Sequence, residues 1–580
     1  MKKTLLFSTC FLVFPLLFSC SSNTLKVETN VSSYHVGDFI KYSDFKVTNN
    51  NKEVTDFLIY NNDELVIDGS AINDLNDLSL TFKKGKYTSK IYEFDVFEKE
   101  KRNVDYKDFT YYDLGINASL PSLPSKGDLN VLVIPLCIKG FEKNATSENL
   151  EKIKLMFNGD STNTNFESVS SFYLKSSYNQ LKLDFTVSDW FNLNKDPLEI
   201  YMERDRNDPS DSGIMYCMDQ ALNWYKETYN DDCTKFDNDK DGLIDAVWFI
   251  NSARNYLNYN YDSRYASTYW GFTYWNKKNY NLRNIYNPTY MNFSWCTFDF
   301  MFQGYGTNGI DAHTFIHETG HLLGLIDYYD TYNYKLCPNG NIDMMDFNIG
   351  DHLAFSKFSL GWIEPKIVNS STTINIKPLE SSGDFIVIGG NNYNKGAFDE
   401  YFIVEYVTPT GLNEKDYLAS YNNVDRKIKG YSKKGIKITH IDNRGAKESN
   451  VFNNLVSSTD EINVNYLTNT SAINPKYNQN PMLLSTIFPA NYSNLENSTT
   501  NPINGKYKES DEALFFENQK FELNETSIYT SLMPSNSNKL NKYLVSKSNE
   551  DILDFSVEVL SLNEEATLKI EVKNNEKQSI

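Results

Sequence analysis

Thr314-Phe315-Ile316-His317-Glu318-Thr319-Gly320-His321-Leu322-Leu323 is the stretch on which the reading of this chain turns. Its apolar ends frame polar residues, the pattern of a buried helix built around a chemical centre. On a helix, residues i and i+4 lie one above the other on the same face. His317 and His321 are therefore expected to present two imidazoles to one tetrahedral zinc at about 2.0–2.1 Å. Glu318, one position along, can reach a water at the metal without binding the metal and is the expected general base. Gly324 falls where such a helix must stop and turn. Asp327 follows, completing the pattern His-Glu-x-x-His-x-x-Gly-x-x-Asp. It is the expected third ligand, with Asp330 and His352 as alternatives. The chain has only six histidines, and His313, His317, His321 and His352 all fall in this neighbourhood.

The extended pattern resembles the metzincin clan, in which a turn at the glycine returns a third ligand to the zinc. That ligand is usually histidine; here the position is held by Asp327, also an oxygen donor suited to zinc. The resemblance implies a methionine turn beneath the metal. Met344 and Met345, in Ile342-Asp343-Met344-Met345-Asp346, are the candidates. Four further stretches extend the likeness. They are Ser168-Val169-Ser170-Ser171-Phe172-Tyr173-Leu174-Lys175-Ser176-Ser177-Tyr178-Asn179, then Gly350-Asp351-His352 through Lys357-Phe358-Ser359-Leu360-Gly361-Trp362, then Tyr401-Phe402-Ile403-Val404-Glu405-Tyr406, and Thr410-Gly411-Leu412-Asn413. With the zinc helix they resemble the immune-inhibitor-A-type metallopeptidases over residues 128–445. This resemblance implies a secreted zinc endopeptidase with His317 and His321 as ligands, Glu318 as catalytic base and Asp327 as third ligand.

A second metal is expected at Asp237-Asn238-Asp239-Lys240-Asp241-Gly242-Leu243-Ile244-Asp245. Carboxylates alternate there and a glycine takes the sixth position, as in the first half of a calcium loop. Asp237, Asp239, Asp241, the Leu243 carbonyl and Asp245 are the expected ligands. The twelfth position is Trp248, where a helix-loop-helix site needs glutamate, so another ligand must come from elsewhere. The expected role is to pin the loop feeding the strand Ala246–Ile250.

The net charge of −20 repels phosphate backbones and argues against a nucleic-acid partner. Tyrosine (40) and phenylalanine (37) are abundant, which suits pleated, half-buried surfaces and predicts β-rich structure. Lys2 and Lys3 precede an apolar run from Leu5 to Phe18 that is too short to span a bilayer and suits a signal segment. The run ends Leu17-Phe18-Ser19-Cys20 and resembles a bacterial lipoprotein signal. It implies residues 1–19 as signal, a lipid on Cys20, and an extracytoplasmic protein anchored at the cell surface; the alternative is ordinary secretion. Cys137, Cys217, Cys233, Cys296 and Cys337 are odd in number and widely spaced, so buried thiols are expected rather than a disulfide framework.

The predicted organisation is multidomain. Residues 20–98 alternate apolar and polar positions in short runs, as in Lys90-Ile91-Tyr92-Glu93-Phe94-Asp95-Val96. They resemble a bacterial immunoglobulin-like β-sandwich module. Residues 99–127, with Pro121 and Pro124, read as a linker. Residues 128–365 alternate strands (Asn130–Leu136, Ala246–Ile250) with helical patterns (Glu167–Ser177, Asp211–Thr228), as an α+β metzincin-like zinc peptidase domain should. Residues 366–445 read as a β-rich extension and 446–580 as a C-terminal β-rich region. The expected function is hydrolysis of peptide bonds in extracellular proteins. The alternative is a surface adhesin that retains a metallopeptidase fold.

Overall fold

The computed structural model describes residues 24–99, 102–117, 122–207, 212–302, 309–329, 339, 342–346, 350–390, 393–418, 430–443, 483–487, 489, 511–523 and 554–573. Cys20, the signal segment, Asp330 and Cys337 lie outside them. The chain divides into two compact units, residues 1–100 and 101–580. The architecture is multidomain α+β, with several separate sheets. Among the described residues no helix is long and apolar enough to cross a membrane.

The first unit is all-β. Most of its strands join one nine-stranded sheet, and Phe39–Ile40 pairs separately with Ser70–Ala71. Period-two burial builds its core: Leu78, Leu80 and Phe82 point inward from one strand, and Phe94 and Val96 from another. Alternate residues of a strand face opposite sides, so each strand contributes one apolar row.

The second unit is built on a sheet whose strands run in the spatial order Leu181–Val187, Gly127–Cys137, Val247–Asn251, Asn292–Thr297, Phe272–Trp275. The first four are parallel and Phe272–Trp275 runs antiparallel at the edge. The strand Gly127–Cys137 is apolar on both faces because both are covered. Val131 and Val133 pack toward the helices Ser147–Asn158, Val169–Ser176 and His313–Leu322. Leu132, Ile134 and Leu136 pack instead with Ile214, Met218 and Leu222 of the helix Ile214–Tyr229. The helix Val169–Ser176 starts at a capping box in which the Ser168 and Ser171 hydroxyls satisfy each other's backbone N–H.

The segment read as a linker differs from expectation. Residues Tyr111–Asn117 form a helix, and Tyr111, Leu114 and Leu123 are buried in the main core of the second unit. A short helix precedes the prolines at positions 121 and 124, and Leu123 between them is a core residue, so prolines here do not mark a linker.

The boundary at 445/446 also fails to separate two regions. A five-stranded sheet contains Phe385–Gly389, Glu400–Val407, Gly435–Asp442 and Leu484–Ile487. A four-stranded sheet pairs Thr372–Ile376 with Ala566–Lys573, then Asp554–Leu562 and Lys520–Leu523. The two share one core, in which Ile386, Phe402 and Val404 meet Phe521, Phe555 and Leu568. The opposite face of the five-stranded sheet, with Phe385, Val387 and Ile403, joins the main core. Strands far apart in sequence close one layer, which residue order alone does not reveal.

Candidate metal centre

The motif helix spans His313–Leu322 and is anchored by burial of Phe315, Ile316 and Leu322. Phe315 packs on Trp248 of the central sheet, with ring centroids 5.4 Å apart. The Tyr173 hydroxyl donates to the Ile316 carbonyl at 2.7 Å, and Asn292 Nδ2 donates to the Leu322 carbonyl at 3.2 Å. Leu323 caps the helix, and Gly324 follows with φ +96°. This left-handed conformation costs glycine little, and it turns the chain so that Asp327 comes back beside the two histidines.

His317, His321 and Asp327 form one cluster whose donor atoms all lie within 4.8 Å of one another. Asp327 Oδ1 is 3.1 Å from His317 Nε2 and 3.2 Å from His321 Nε2. Each imidazole is held from behind. His317 Nδ1 bonds the Met344 carbonyl at 2.8 Å, and His321 Nδ1 bonds the Leu325 carbonyl at 2.9 Å. Carbonyls only accept, so Nδ1 carries the proton, and in each neutral ring Nε2 presents a lone pair that could bind a metal.

The geometry fits a zinc ion. A tetrahedral site with ligands at about 2.0–2.1 Å has donor–donor edges of roughly 3.3 Å, close to the two observed separations. Without the cation, these groups lean on one another's charge. Burial disfavours a charged imidazole at His321, but Asp327 outweighs it and lifts His321 to about 9. Burial likewise opposes an ionised Asp327, yet His321 and His317 hold it well below the usual carboxylate range. A divalent cation would take the place of those protons.

Glu318 is buried beside this cluster. Burial pushes its carboxyl up, and the neighbouring His321 and His317 pull it back in part. The Thr273 hydroxyl lies 2.9 Å from Glu318 Oε2. Thr273 sits on the edge strand, far from the motif in sequence, and no spacing rule links the two.

Met344 and Met345 divide the work at this place. Met344 offers its carbonyl to His317, while the Met345 side chain lies directly against Gly320. His352 is not in the cluster. Its Nδ1 bonds Asp343 Oδ1 at 3.1 Å, and its ring is enclosed by Phe172, Tyr173 and Trp362. Asp343 also accepts from the backbone of Met345 and Leu353 and from the Ser356 hydroxyl, tying the 342–346 segment to the next helix. His352 thus stands apart from the two imidazoles and Asp327, which converge without it.

The acidic loop brings together Asp237, Asp239 and Asp245. Asp241 turns its Oδ1 to the Leu243 backbone N–H at 2.9 Å and stands outside that trio. Leu243 lies in a two-residue parallel pairing with Thr289–Tyr290. Burial, then the charge of Asp239, raises Asp237 to about 7, and burial raises Asp245 well above the usual range. The Tyr112 hydroxyl, from the segment read as a linker, donates to Asp239 Oδ2 at 2.9 Å. Cys137, Cys217, Cys233 and Cys296 are buried thiols outside any disulfide among the described residues.

No protein-family model matches this chain, and no curated protein matches it.

Proposed function

We propose that this protein is a zinc-dependent endopeptidase with its active site at His317, Glu318, His321 and Asp327. One observation carries the reading. Two imidazole nitrogens and a carboxylate oxygen converge at ligand spacing, with a buried carboxylate, Glu318, immediately beside them. Zinc held there supplies Lewis acidity toward a water and the scissile carbonyl. Glu318 takes the proton of the attacking water and returns it to the leaving amine. The Met344 and Leu325 carbonyls keep both rings in the tautomer that leaves Nε2 free. The sequence likeness to immune-inhibitor-A-type and metzincin peptidases supports the same reading.

The acidic loop is proposed as a structural calcium site, because three buried or half-buried carboxylates face one another there and want a hard cation. The first unit is proposed as an immunoglobulin-like spacer. Cys20 is the proposed lipid anchor that holds the protein outside the cell.

Metal analysis of the purified protein, paired with casein cleavage before and after chelation, tests the function. One zinc per chain, activity lost on chelation and restored by zinc, and no cleavage by zinc-loaded E318A are expected. Chelator-insensitive cleavage, or full activity in E318A, would overturn the assignment. Binding to host proteins without hydrolysis of any protein would favour an adhesin.

A further inference from the structure

We infer that Thr273 is a positioning residue for the Glu318 carboxylate, and that Ser294 completes the device by orienting the Thr273 hydroxyl. This rests on the reading of Glu318 as general base. Thr273 and Ser294 are directly opposite each other in the antiparallel pairing of the edge strand with Asn292–Thr297. Their hydroxyl oxygens are 2.7 Å apart. Thr273 Oγ1 is 2.9 Å from Glu318 Oε2 and 3.0 Å from the Glu318 backbone carbonyl.

The direction of the proton chain follows from counting donors. A threonine hydroxyl has one proton, and an ionised carboxylate and a carbonyl can only accept. The Thr273 proton therefore goes to Glu318. Thr273 then has only its lone pairs to offer Ser294, so Ser294 donates. Ser294 is fully buried, and Thr273 is the one hydrogen-bond partner of its side chain among the described residues. The run Ser294 to Thr273 to Glu318 thus has a single polarity, with the carboxylate Oε2 the nearer of the two Glu318 acceptors.

The other carboxylate oxygen is treated differently. Gly271 lies two positions before Thr273, on the same side of the chain. A Cβ there would stand 3.9 Å from Glu318 Oε1, and nearer still to Thr314 Cγ2 (3.1 Å) and Cys296 Sγ (3.2 Å). The glycine brings the strand close while placing no side chain beside Oε1. One oxygen is tethered by Thr273, and the other remains to receive a proton from water. Fixing the carboxylate in this way removes a rotational freedom that the proton transfer would otherwise have to overcome.

The test compares T273V, T273S and S294A with wild type in the full-length protein. It reads kcat, KM, zinc stoichiometry, thermal midpoint and the visible spectrum of the cobalt-substituted form. For T273V, kcat is expected to fall about tenfold to a hundredfold with KM within roughly twofold of wild type. Zinc stays at one per chain and the cobalt spectrum is unchanged. T273S, which restores the hydroxyl, is expected within about threefold of wild-type kcat. A T273V enzyme with wild-type kcat overturns the inference. So does equal impairment of T273S and T273V with lost zinc, which marks the residue as a strand tether. If T273V does not fold, S294A decides: a kcat several-fold lower at unchanged KM and zinc content supports the relay, and an unchanged kcat overturns it. Wild-type protein that holds zinc but cleaves nothing, or E318Q as active as wild type, overturns the base assignment itself. An active wild type and inactive E318Q beside a fully active T273V overturn only the role of Thr273.

Discussion

Gly320 of the motif helix rests directly on the sulfur of Met345: a Cβ at position 320 would overlap that sulfur and come within 3.2 Å of the Tyr173 hydroxyl. Glycine inside a helix costs about 1 kcal/mol relative to alanine, so the close approach must return more than that. It brings the segment 342–346 near enough for the Met344 carbonyl to hold the His317 ring. G320A is expected to lose about 1–3 kcal/mol through overpacking, and M345A about 2–5 kcal/mol through a cavity. In G320A/M345A the losses should be less than additive, because the two sites share one space. Urea melts of the three variants measure this. Strict additivity would show that the contact does not couple them.

The acidic loop predicts a calcium effect that depends on pH. Asp237 has its folded-state value raised to about 7 by burial and then by the Asp239 charge, against about 3.9 in an unfolded chain. Between those values the folded state holds more protons than the unfolded one, so metal-free stability falls as pH rises through that window. Calcium bound at the proposed site would replace the missing protons. Its stabilising increment in thermal melts should therefore be larger at pH 8 than at pH 5, and D239A/D241A should abolish it. An increment equal at both pH values, or intact in the variant, contradicts the site.

Glu380 offers a pH effect independent of any metal. Burial raises its carboxyl to about 7. The Thr410 hydroxyl serves Oε1 at 2.7 Å, but the buried Oε2 has no partner among the described residues. A raised value for an acid means that stability is lost as pH climbs from about 4.3 through 7. E380Q removes the charge. It is expected to stabilise the protein at pH 8 by on the order of 2 kcal/mol and to change little at pH 5. Denaturation at the two pH values checks this, and equal effects would refute it.

Lys357 is fully buried, with its ammonium 2.7 Å from Asp351 Oδ2 and 2.8 Å from the Ser176 carbonyl. It joins the end of the helix Val169–Ser176 to the helix Ala354–Ser359. K357M leaves Asp351 charged and uncompensated, at an expected cost of about 3–5 kcal/mol. K357M/D351N should recover much of that, as read from urea midpoints. A double variant no better than the single would mean that the charge pair is not the source.

Much of the candidate site was legible because its signals are local. The i, i+4 histidines, the intervening glutamate and the stop at Gly324 all follow from helix geometry within eight residues. The aspartates of the acidic loop follow from turn geometry in the same way. The runs Asn130–Leu136 and Ala246–Ile250 are legible as strands, the first by being apolar on both faces. Thr273, Ser294 and Tyr112 were not legible as site residues. Each reaches its partner through strand pairing or helix docking between segments far apart in the chain, and single-sequence patterns carry no term for such contacts. The same limit hid the pairing of Thr372–Ile376 with Ala566–Ile570 across the expected boundary at 445/446.

By itself the sequence determined which residues could serve as donors and at what local spacing, because helical and turn periods are short-range. It also determined that the chain would be mixed α and β, since burial periodicity is written in consecutive side chains. Only the tertiary structure shows which of the third-ligand alternatives that it describes stands beside the two imidazoles. It carried Asp327 back to the two imidazoles and committed His352 to Asp343. Only the tertiary structure gave Glu318 its neighbour on the edge strand. Those outcomes depend on the turn at Gly324, the contact of Gly320 with Met345 and the register of Thr273 against Ser294, where long-range packing rather than local preference sets where a side chain ends up.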